Sequence, residues 1–434
     1  MNRDRAARNG AARRTARAIA ATALVRVEAE AASRSPEVLS DALVDAARRH
    51  ALDPRERGLA TELFYGVLRF RQRLDRVLAP RVRQRLDALE PVALALLRIG
   101  AYQILLLDRI PPPIAVSATQ DAARELGAGR LTGLLNGVLR RVAEDGEGLP
   151  DGDDDAAVGA RAALPAWIIG ELRRAYGAAT PAEAMALRER ATTTVRPARA
   201  FGGPDAVAKA LAEEGFDATP GAWGTLVVTG PGDPFATRAF AEGAFVPQDP
   251  ASAAVVASMG DVSGLRVLDL CAGRGVKATD LAERGAAVTA VDVSPAKLGE
   301  LERLAARLGV LDRVTTLPAD GTAVEPPGAP FERVLVDAPC TGLGTLRRHP
   351  EIAWRRRPQD LTALTALQAR LVAHAATLVA PGGELVYAVC SFARAEGDVE
   401  PPAGFVAVDG LVIPPSAGMD AFQVRRFRRQ VAGA

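Results

Sequence analysis

One stretch of this 434-residue chain constrains its fold more than any other: Val334-Leu-Val-Asp-Ala-Pro-Cys-Thr-Gly-Leu-Gly-Thr-Leu-Arg-Arg-His-Pro-Glu-Ile-Ala-Trp354. Val334 to Val336 is a short apolar run that Asp337 stops. A buried parallel strand reads this way when it delivers a carboxylate to its C-terminal edge. Cys340 follows three residues later, behind a proline that stiffens the loop and ahead of glycines that let it turn tightly. Arg348, His349 and Trp354 come next, a mix suited to phosphates and a stacked base, or simply to packing the loop. A second cysteine, Cys390, ends another apolar run, Leu385 to Val389. The two thiols can therefore meet on one edge of a single sheet, which marks this stretch as an active site.

The rest of the chain is long enough for two or three domains. No apolar run approaches the ~20 residues that a membrane helix needs. The three cysteines, 271, 340 and 390, show no metal-ligand spacing and no even pairing. We therefore expect no metal, no disulfide scaffold and a reducing cytoplasm. A net charge of +2 hides an asymmetry: residues 1–143 hold 25 arginines against 15 acids, and the remainder holds 29 bases against 37 acids. A basic first domain joined to an acidic second one points to nucleic-acid contact by the first, although arginine-rich composition alone gives the same count. The six arginines of the first 17 residues read as a basic arm continuous with the first helix.

From Arg17 to Val142 the periodicity is helical throughout: 18–27, 38–47, 55–78, a nearly all-apolar 91–107, 115–126 and 131–142. An acidic run, Glu144 to Asp155, predicts a solvated linker over 144–163. Residues 164–244 predict a small α/β segment, with a helix at 164–176, another at 206–215 and a strand at 225–229. From 245 onward, strands at 266–270, 287–291, 314–317, 333–336 and 384–389 alternate with leucine-rich helices at 295–308 and 360–379. That pattern predicts a doubly wound, Rossmann-like α/β sheet running to residue 434. The arginines at 425, 426, 428 and 429 suggest a basic edge strand.

Asp269-Leu-Cys-Ala-Gly-Arg-Gly-Val-Lys277 follows the first of these strands and enters a helix. Its spacing fits neither a dinucleotide fingerprint nor a P-loop, so a phosphate-free cofactor, S-adenosylmethionine, suits it better. Asp292, ending the next strand, can hold a ribose diol, and Asp320 an adenine amino group. Lys277 is one of only three lysines among 54 basic residues, and its compact ammonium can pair with Asp337 or Asp269. Cys271, just behind the loop, needs no chemical role.

Two thiols, a carboxylate and a methyl-donor pocket specify few reactions. The C5 carbon of cytosine accepts a methyl group once a thiolate has added to C6. That addition needs a hydrogen bond or proton at N3, so Asp337 is expected to hold a proton in its apolar strand end.

Thr61 to Arg69, Leu96 to Ile104 and Leu134 to Arg140 resemble the NusB-type helical fold, an RNA-binding module. Gln248-Asp249-Pro-Ala-Ser252, Asp337-Ala-Pro-Cys340 and Arg348-His-Pro-Glu-Ile-Ala-Trp354 resemble the RNA 5-methylcytosine methyltransferases of the Sun/Fmu (RsmB-like) type, which carry such a module at their N-terminus. The resemblance implies that Cys390 is the nucleophile and that Cys340 assists product release. It further implies that Asp337, with Lys277 beside it, contacts the cytosine edge. Ala272, Gly273, Gly275, Lys277, Asp292, Asp320 and Asp337 would hold S-adenosylmethionine. The implied substrate is small-subunit ribosomal RNA, and the expected partner set is RNA alone, with a monomeric protein. The chain departs from the family at Gly273, Arg274 and Val276 in the cofactor loop and at Val389, where threonine is usual. Arg394-Ala-Glu-Gly397 stands in place of Pro-Glu-Glu-Asn. These departures keep a second reading open, a non-catalytic RNA-binding protein with a decayed methyltransferase domain.

Overall fold

A computed structural model describes residues 14–30 and 53–431. It divides into two compact units, Met1–Ile169 and Gly170–Ala434. The helix expected at 38–47 lies outside the described residues.

The first unit is helical. Its elements are α1 (Ala16–Glu30), α2 (Pro54–Leu78), α3 (Pro91–Leu106), α4 (Pro112–Glu125), α5 (Thr132–Asp145) and α6 (Asp155–Ala162). Prolines open α2, α3 and α4 in the first turn, where a missing N–H costs nothing. Helix α3 is buried continuously from Ala93 to Gln103, as its unbroken apolar pattern requires. Its two long polar residues are satisfied inside the core. Arg98 donates to Asp75 at 2.7 and 2.9 Å and also pairs with Glu28. Gln103 accepts from Arg17 at 2.7 Å, so part of the basic N-terminal charge is structural.

The acidic stretch 144–163, expected to be a solvated linker, is partly folded onto this unit. Asp154 caps α6 through the amides of Ala156 and Ala157, and the face formed by Ala157, Val158 and Ala162 is buried. Arg81 takes Asp145 at 2.9 Å, and Arg73 pairs with Glu147. Short side chains with a good N-cap let Asp155–Ala162 form a helix once it has a surface to cover, while the acidic, glycine-rich residues 146–154 before it are not helical.

The second unit opens with α7 (Ala166–Tyr176), shared across the boundary, and α8 (Thr180–Ala186), followed by a small sheet. Strands β1 (Thr193–Pro197), β2 (Asp217–Pro220), β3 (Leu226–Thr229) and β4 (Phe245–Pro247) pair antiparallel in the order β2-β3-β1-β4, with α9 (Pro204–Glu213) between β1 and β2. Residues 245–247, expected to begin the catalytic domain, thus complete this sheet instead. Three residues are too few to show a period of their own.

The second sheet is the doubly wound one. Its strands are β5 (Arg266–Asp269), β6 (Ala287–Asp292), β7 (Val314–Pro318), β8 (Phe331–Asp337), β9 (Val379–Val389), β10 (Phe405–Ala407), β11 (Leu411–Ile413) and β12 (Phe422–Arg429). They lie in the order β10-β12-β9-β8-β5-β6-β7, with β11 also on β12. β9, β8, β5, β6 and β7 are parallel, and β12 is antiparallel to β9. Helices α10 (Pro250–Ala257), α11 (Val276–Glu283), α12 (Pro295–Arg307) and α13 (Pro358–Leu378) complete it. β12 is not an edge strand. Arg426 and Arg428 pair across the ladder with the buried Glu384, at 2.8 and 2.7 Å, so this basic run is internal wiring. Among the described residues, no helix is long and apolar enough to cross a membrane.

Gly66 sits where α2 meets α3. A Cβ there would stand 2.1 Å from the Tyr102 ring, whose hydroxyl donates to Glu62 at 2.6 Å. Gly66→Ala is expected to destabilise the helical unit by about 2 kcal/mol, because the ring must leave its seat. A denaturant titration followed by far-ultraviolet circular dichroism checks this, and an unchanged midpoint would show that the helices separate freely.

Candidate active site

The strand order reverses between β5 and β8, and the carboxyl ends of the parallel strands converge there, the usual place for a ligand in an open α/β sheet. β5 ends at Asp269, β6 at Asp292 and β8 at Asp337. The loop after β5 turns on Gly273 and Gly275, with φ of +55° and +84°. Gly275 caps α11, and a Cβ there would lie 2.2 Å from Leu301 Cγ. Glycine is required on both counts. Asp292 is oriented by this loop: its Oδ2 accepts from Gly273 N at 2.9 Å and its Oδ1 from Ser294 N at 2.8 Å. Ala272 is anchored by its own amide on Val291 O at 2.9 Å. Asp320 is exposed and accepts from the amide and hydroxyl of Thr322, both at 2.8 Å, which hold its carboxyl below the ordinary range. Arg274 turns outward to Glu300 at 3.3 Å, away from the cradle. A bare glycine loop with one acid fixed beside it and a second at the next strand end fits a nucleoside lacking phosphates.

Lys277, in the first turn of α11, reaches back to Asp337 with Nζ 2.5 Å from Oδ2 and lies 5.6 Å from the centre of the Phe422 ring. Burial works against its charge, but the charge and hydrogen bond of Asp337 outweigh it and hold the ammonium above its ordinary range. The expectation of a protonated Asp337 therefore meets an ammonium in direct contact. The carboxyl pushed up here is Asp269, 1% exposed, raised by burial and then by the charge of Asp337 to about 7. Asp269 Oδ1 has no hydrogen-bond partner.

β8 and β9 run in register, Asp337 opposite Ala388, and Ala338 N donates to Ala388 O at 2.9 Å. The loops leaving them bring Cys340 Sγ to 3.3 Å from Cys390 Sγ. Cys340 is buried and Cys390 partly exposed. The hydrogen bond to Cys390, followed by burial, raises Cys340 well above the usual thiol range, which favours its protonated form. Cys271 is also pushed up, by burial and by the charge of Asp269, and is inert.

The three residues expected to contact RNA divide. Arg348 is committed to the protein, with Asp249 Oδ2 at 2.5 Å and Asp420 Oδ2 at 3.3 Å. It therefore fixes the loop rather than offering a free guanidinium. His349 stands beside Glu351 at 3.4 Å, whose hydrogen bond raises its pKa. Trp354 is half-buried in the short helix Ile352–Arg355. The run Arg355 to Arg357 reads from the sequence as a solvated turn or a phosphate clamp, but Arg356 donates to the carbonyls of Thr341 and Cys340 at 3.1 and 3.2 Å. Sequence reasoning missed the roles of Gln368, Gln423 and Glu396, which brace the two cysteine loops. Nothing local in the sequence flags Gln368 or Gln423; Glu396 lies in a segment that was read only for its departures.

Residues 259–400 match the family described as 16S rRNA methyltransferase RsmB/F, and residues 14–144 match the NusB family. The ribosomal RNA small subunit methyltransferase B of Thermus thermophilus is 33% identical over 434 residues, covering 96% of this chain and 98% of that protein. The chain belongs to the RsmB family of methyltransferases. The same-named protein of Xanthomonas campestris pv. campestris is 34% identical over 354 residues, 80% of this chain and 79% of its own length. The crystal structure of PH0851 shares the fold, with a TM-score of 0.79 and 23% identity over 95% of this chain and 99% of that one. As an RsmB-family member the protein is an S-adenosylmethionine-dependent methyltransferase, built as a NusB-like helical domain followed by a Rossmann-like catalytic domain.

Two buried acids of the RsmB-type unit carry a pH signature. Asp269 and Asp420 are each pushed to about 7, in both cases by burial first. An acid whose pKa is raised on folding keeps a proton that the unfolded chain has already lost. Its contribution is therefore complete below the unfolded value and is lost as pH rises through the folded one. The elevated His349 acts with the same sign. Unfolding of the catalytic unit is expected to require more denaturant at about pH 5.5 than at about pH 7.5, and Asp269→Asn should flatten that dependence. Equal midpoints at the two pH values would contradict it.

Proposed function

We propose that this RsmB-family protein methylates C5 of a cytosine in small-subunit ribosomal RNA through a covalent Cys390–C6 adduct. The observation that carries the reading is the thiol pair, two sulfurs 3.3 Å apart at the end of the β8–β9 ladder, beside the Lys277–Asp337 ion pair. The names of the Thermus and Xanthomonas relatives support RNA of the small subunit as the substrate. The excess of arginine in residues 1–143 supports RNA contact by the helical domain.

The roles follow from the chemistry of the groups. Cys390, the more exposed thiol, adds as thiolate to C6 and drives the ring electrons toward C5. Asp337 accepts from the cytosine amino group, and the Lys277 ammonium supplies the positive charge that offsets the electron density gathering on the N3 side. Bound S-adenosylmethionine supplies an electrophilic methyl group on a sulfonium. Asp292, Asp320 and the 272–277 loop hold its nucleoside and amino-acid ends. After transfer the C5 proton passes to water, its bonding pair restores the C5–C6 double bond, and the Cys390 sulfur leaves with the S–C pair. Cys340, kept protonated, hydrogen-bonds that departing thiolate and eases its release. His349 and Trp354 remain the candidates for contact with the RNA around the flipped base.

Methyl transfer from labelled S-adenosylmethionine to unmodified small-subunit ribosomal RNA tests this. Label is expected in 5-methylcytosine with the wild-type protein, and Cys390→Ala should lose it by on the order of a thousandfold or more. Cys340→Ala is expected to accumulate an RNA–protein adduct. Label in another nucleotide, or full activity in Cys390→Ala, would refute the mechanism. No transfer and no cofactor binding by wild type would leave an RNA-binding protein.

A further inference from the structure

Glu396 belongs to the segment in which this chain departs from its family, and it is 0% exposed. Its carboxylate accepts three neutral donors. Thr341 N lies at 2.7 Å and Gln368 Nε2 at 3.1 Å on Oε1, and the Thr341 hydroxyl lies at 2.5 Å on Oε2. Gln368 Nε2 also donates to Pro339 O at 2.9 Å. Thr341, immediately after Cys340, is thus fixed directly to this carboxylate, and Pro339, immediately before it, is held through Gln368. Glu396 is itself fixed to the other thiol's strand, because the Tyr387 hydroxyl donates to Glu396 O at 2.7 Å, three residues before Cys390. The segment between is braced in turn. Gln423 Nε2 donates to the carbonyls of Ser391 and Ala393 at 2.9 and 3.1 Å, and Ser391 Oγ meets Thr341 Oγ1 at 3.1 Å.

We infer that Glu396 is a positioning residue for product release, one that holds the Cys340 thiol against the Cys390 sulfur by clamping Pro339 and Thr341 to strand β9. Three observations favour a role beyond packing. A buried carboxylate satisfied only by neutral donors is costly to keep, and an apolar residue of similar size would fill the space at lower desolvation cost. Its direct contact with Thr341 and its contact through Gln368 with Pro339 converge on one loop, on both sides of a single functional atom. Its negative charge also lies close enough to Cys340 to help keep that thiol protonated, the state in which it can donate to a leaving thiolate. The nucleophile needs no such help, because Cys390 follows directly on a hydrogen-bonded strand.

The inference rests on the covalent mechanism proposed above, so its test carries that mechanism's own controls. Full-length wild type, Cys340→Ala, Glu396→Ala, Glu396→Gln and Thr341→Val are given S-adenosylmethionine and unmodified small-subunit ribosomal RNA. Multiple-turnover rate, single-turnover methyl transfer, the fraction of protein in a denaturation-resistant RNA adduct and the thermal midpoint are recorded for each. Glu396→Ala is expected to lose about tenfold to a hundredfold in turnover, the cost of a misplacement near 1 Å. Its single-turnover transfer should stay close to wild type, and its adduct fraction should rise toward that of Cys340→Ala. Glu396→Gln keeps a carbonyl oxygen for Thr341 N and should recover most of the turnover. Thr341→Val tests the same clamp from its other end should Glu396→Ala not fold, and it too should raise the adduct fraction. If Cys340→Ala traps the adduct while Glu396→Ala and Thr341→Val do not, the inference falls and the mechanism stands. Turnover and single-turnover transfer falling together, without adduct, would likewise overturn it. A wild type that makes no 5-methylcytosine overturns both.

Discussion

The site depends on the in-register parallel pairing of β8 with β9. Asp337 lies opposite Ala388, so the residues that leave the two strands start level, and short loops suffice to bring Cys340 against Cys390. Both faces of this pairing are covered, Val334, Leu335, Val336, Leu385, Val386, Ala388 and Val389 all being fully buried, and the bond from Ala338 N to Ala388 O continues the pairing to the end that carries the site. β12 closes the other side of β9, with Arg426 and Arg428 gripping Glu384 near the start of the ladder. The ladder is thus locked by charge at one end, and its other end is free to carry chemistry.

Electrostatics at that end follow from choosing lysine in a chain that otherwise uses arginine. A compact ammonium on a flexible stem can reach from the first turn of α11 to Asp337 and present a point charge there, whereas a planar guanidinium would spread over several acceptors. With Lys277 satisfied by Asp337, Asp269 is left as a buried acid beside an existing carboxylate, and its elevated pKa is the consequence. The end of β8 thus carries a fixed Lys277–Asp337 ion pair.

Legibility in the sequence tracked the range of the interactions involved. The five parallel strands and the helices at 295–307 and 358–378 were readable because burial on both faces, or on one helical stripe, repeats within a few residues. The glycine loop after β5, Asp292 and both thiols could be placed from the sequence because they follow strand ends that the pattern itself defines. What was not readable depends on partners distant in sequence. Arg348 looks like a phosphate ligand until Asp249 and Asp420 are found beside it. β12 looks like an edge until β10 and β11 are found beyond it. The 144–163 stretch looks solvated until Arg73 and Arg81 take two of its acids.

The departures from the family pattern fall where the backbone does not need them. The two left-handed positions of the loop, 273 and 275, are both glycine, and Val276 follows as the first helical residue, where a side chain is tolerated. Arg274 spends its charge outward on Glu300. Val389 is fully buried at the end of β9 among apolar neighbours, and the hydroxyl bridge between the two cysteine loops is made one residue beyond each thiol, by Thr341 and Ser391. In the altered segment after the nucleophile, Glu396 keeps its carboxylate at the junction of both loops. A decaying site loses first the groups whose geometry nothing else enforces, yet here those groups persist and the replaced positions are ones that packing or solvent can absorb. That distribution of change is the physical argument for a working enzyme over a relict fold.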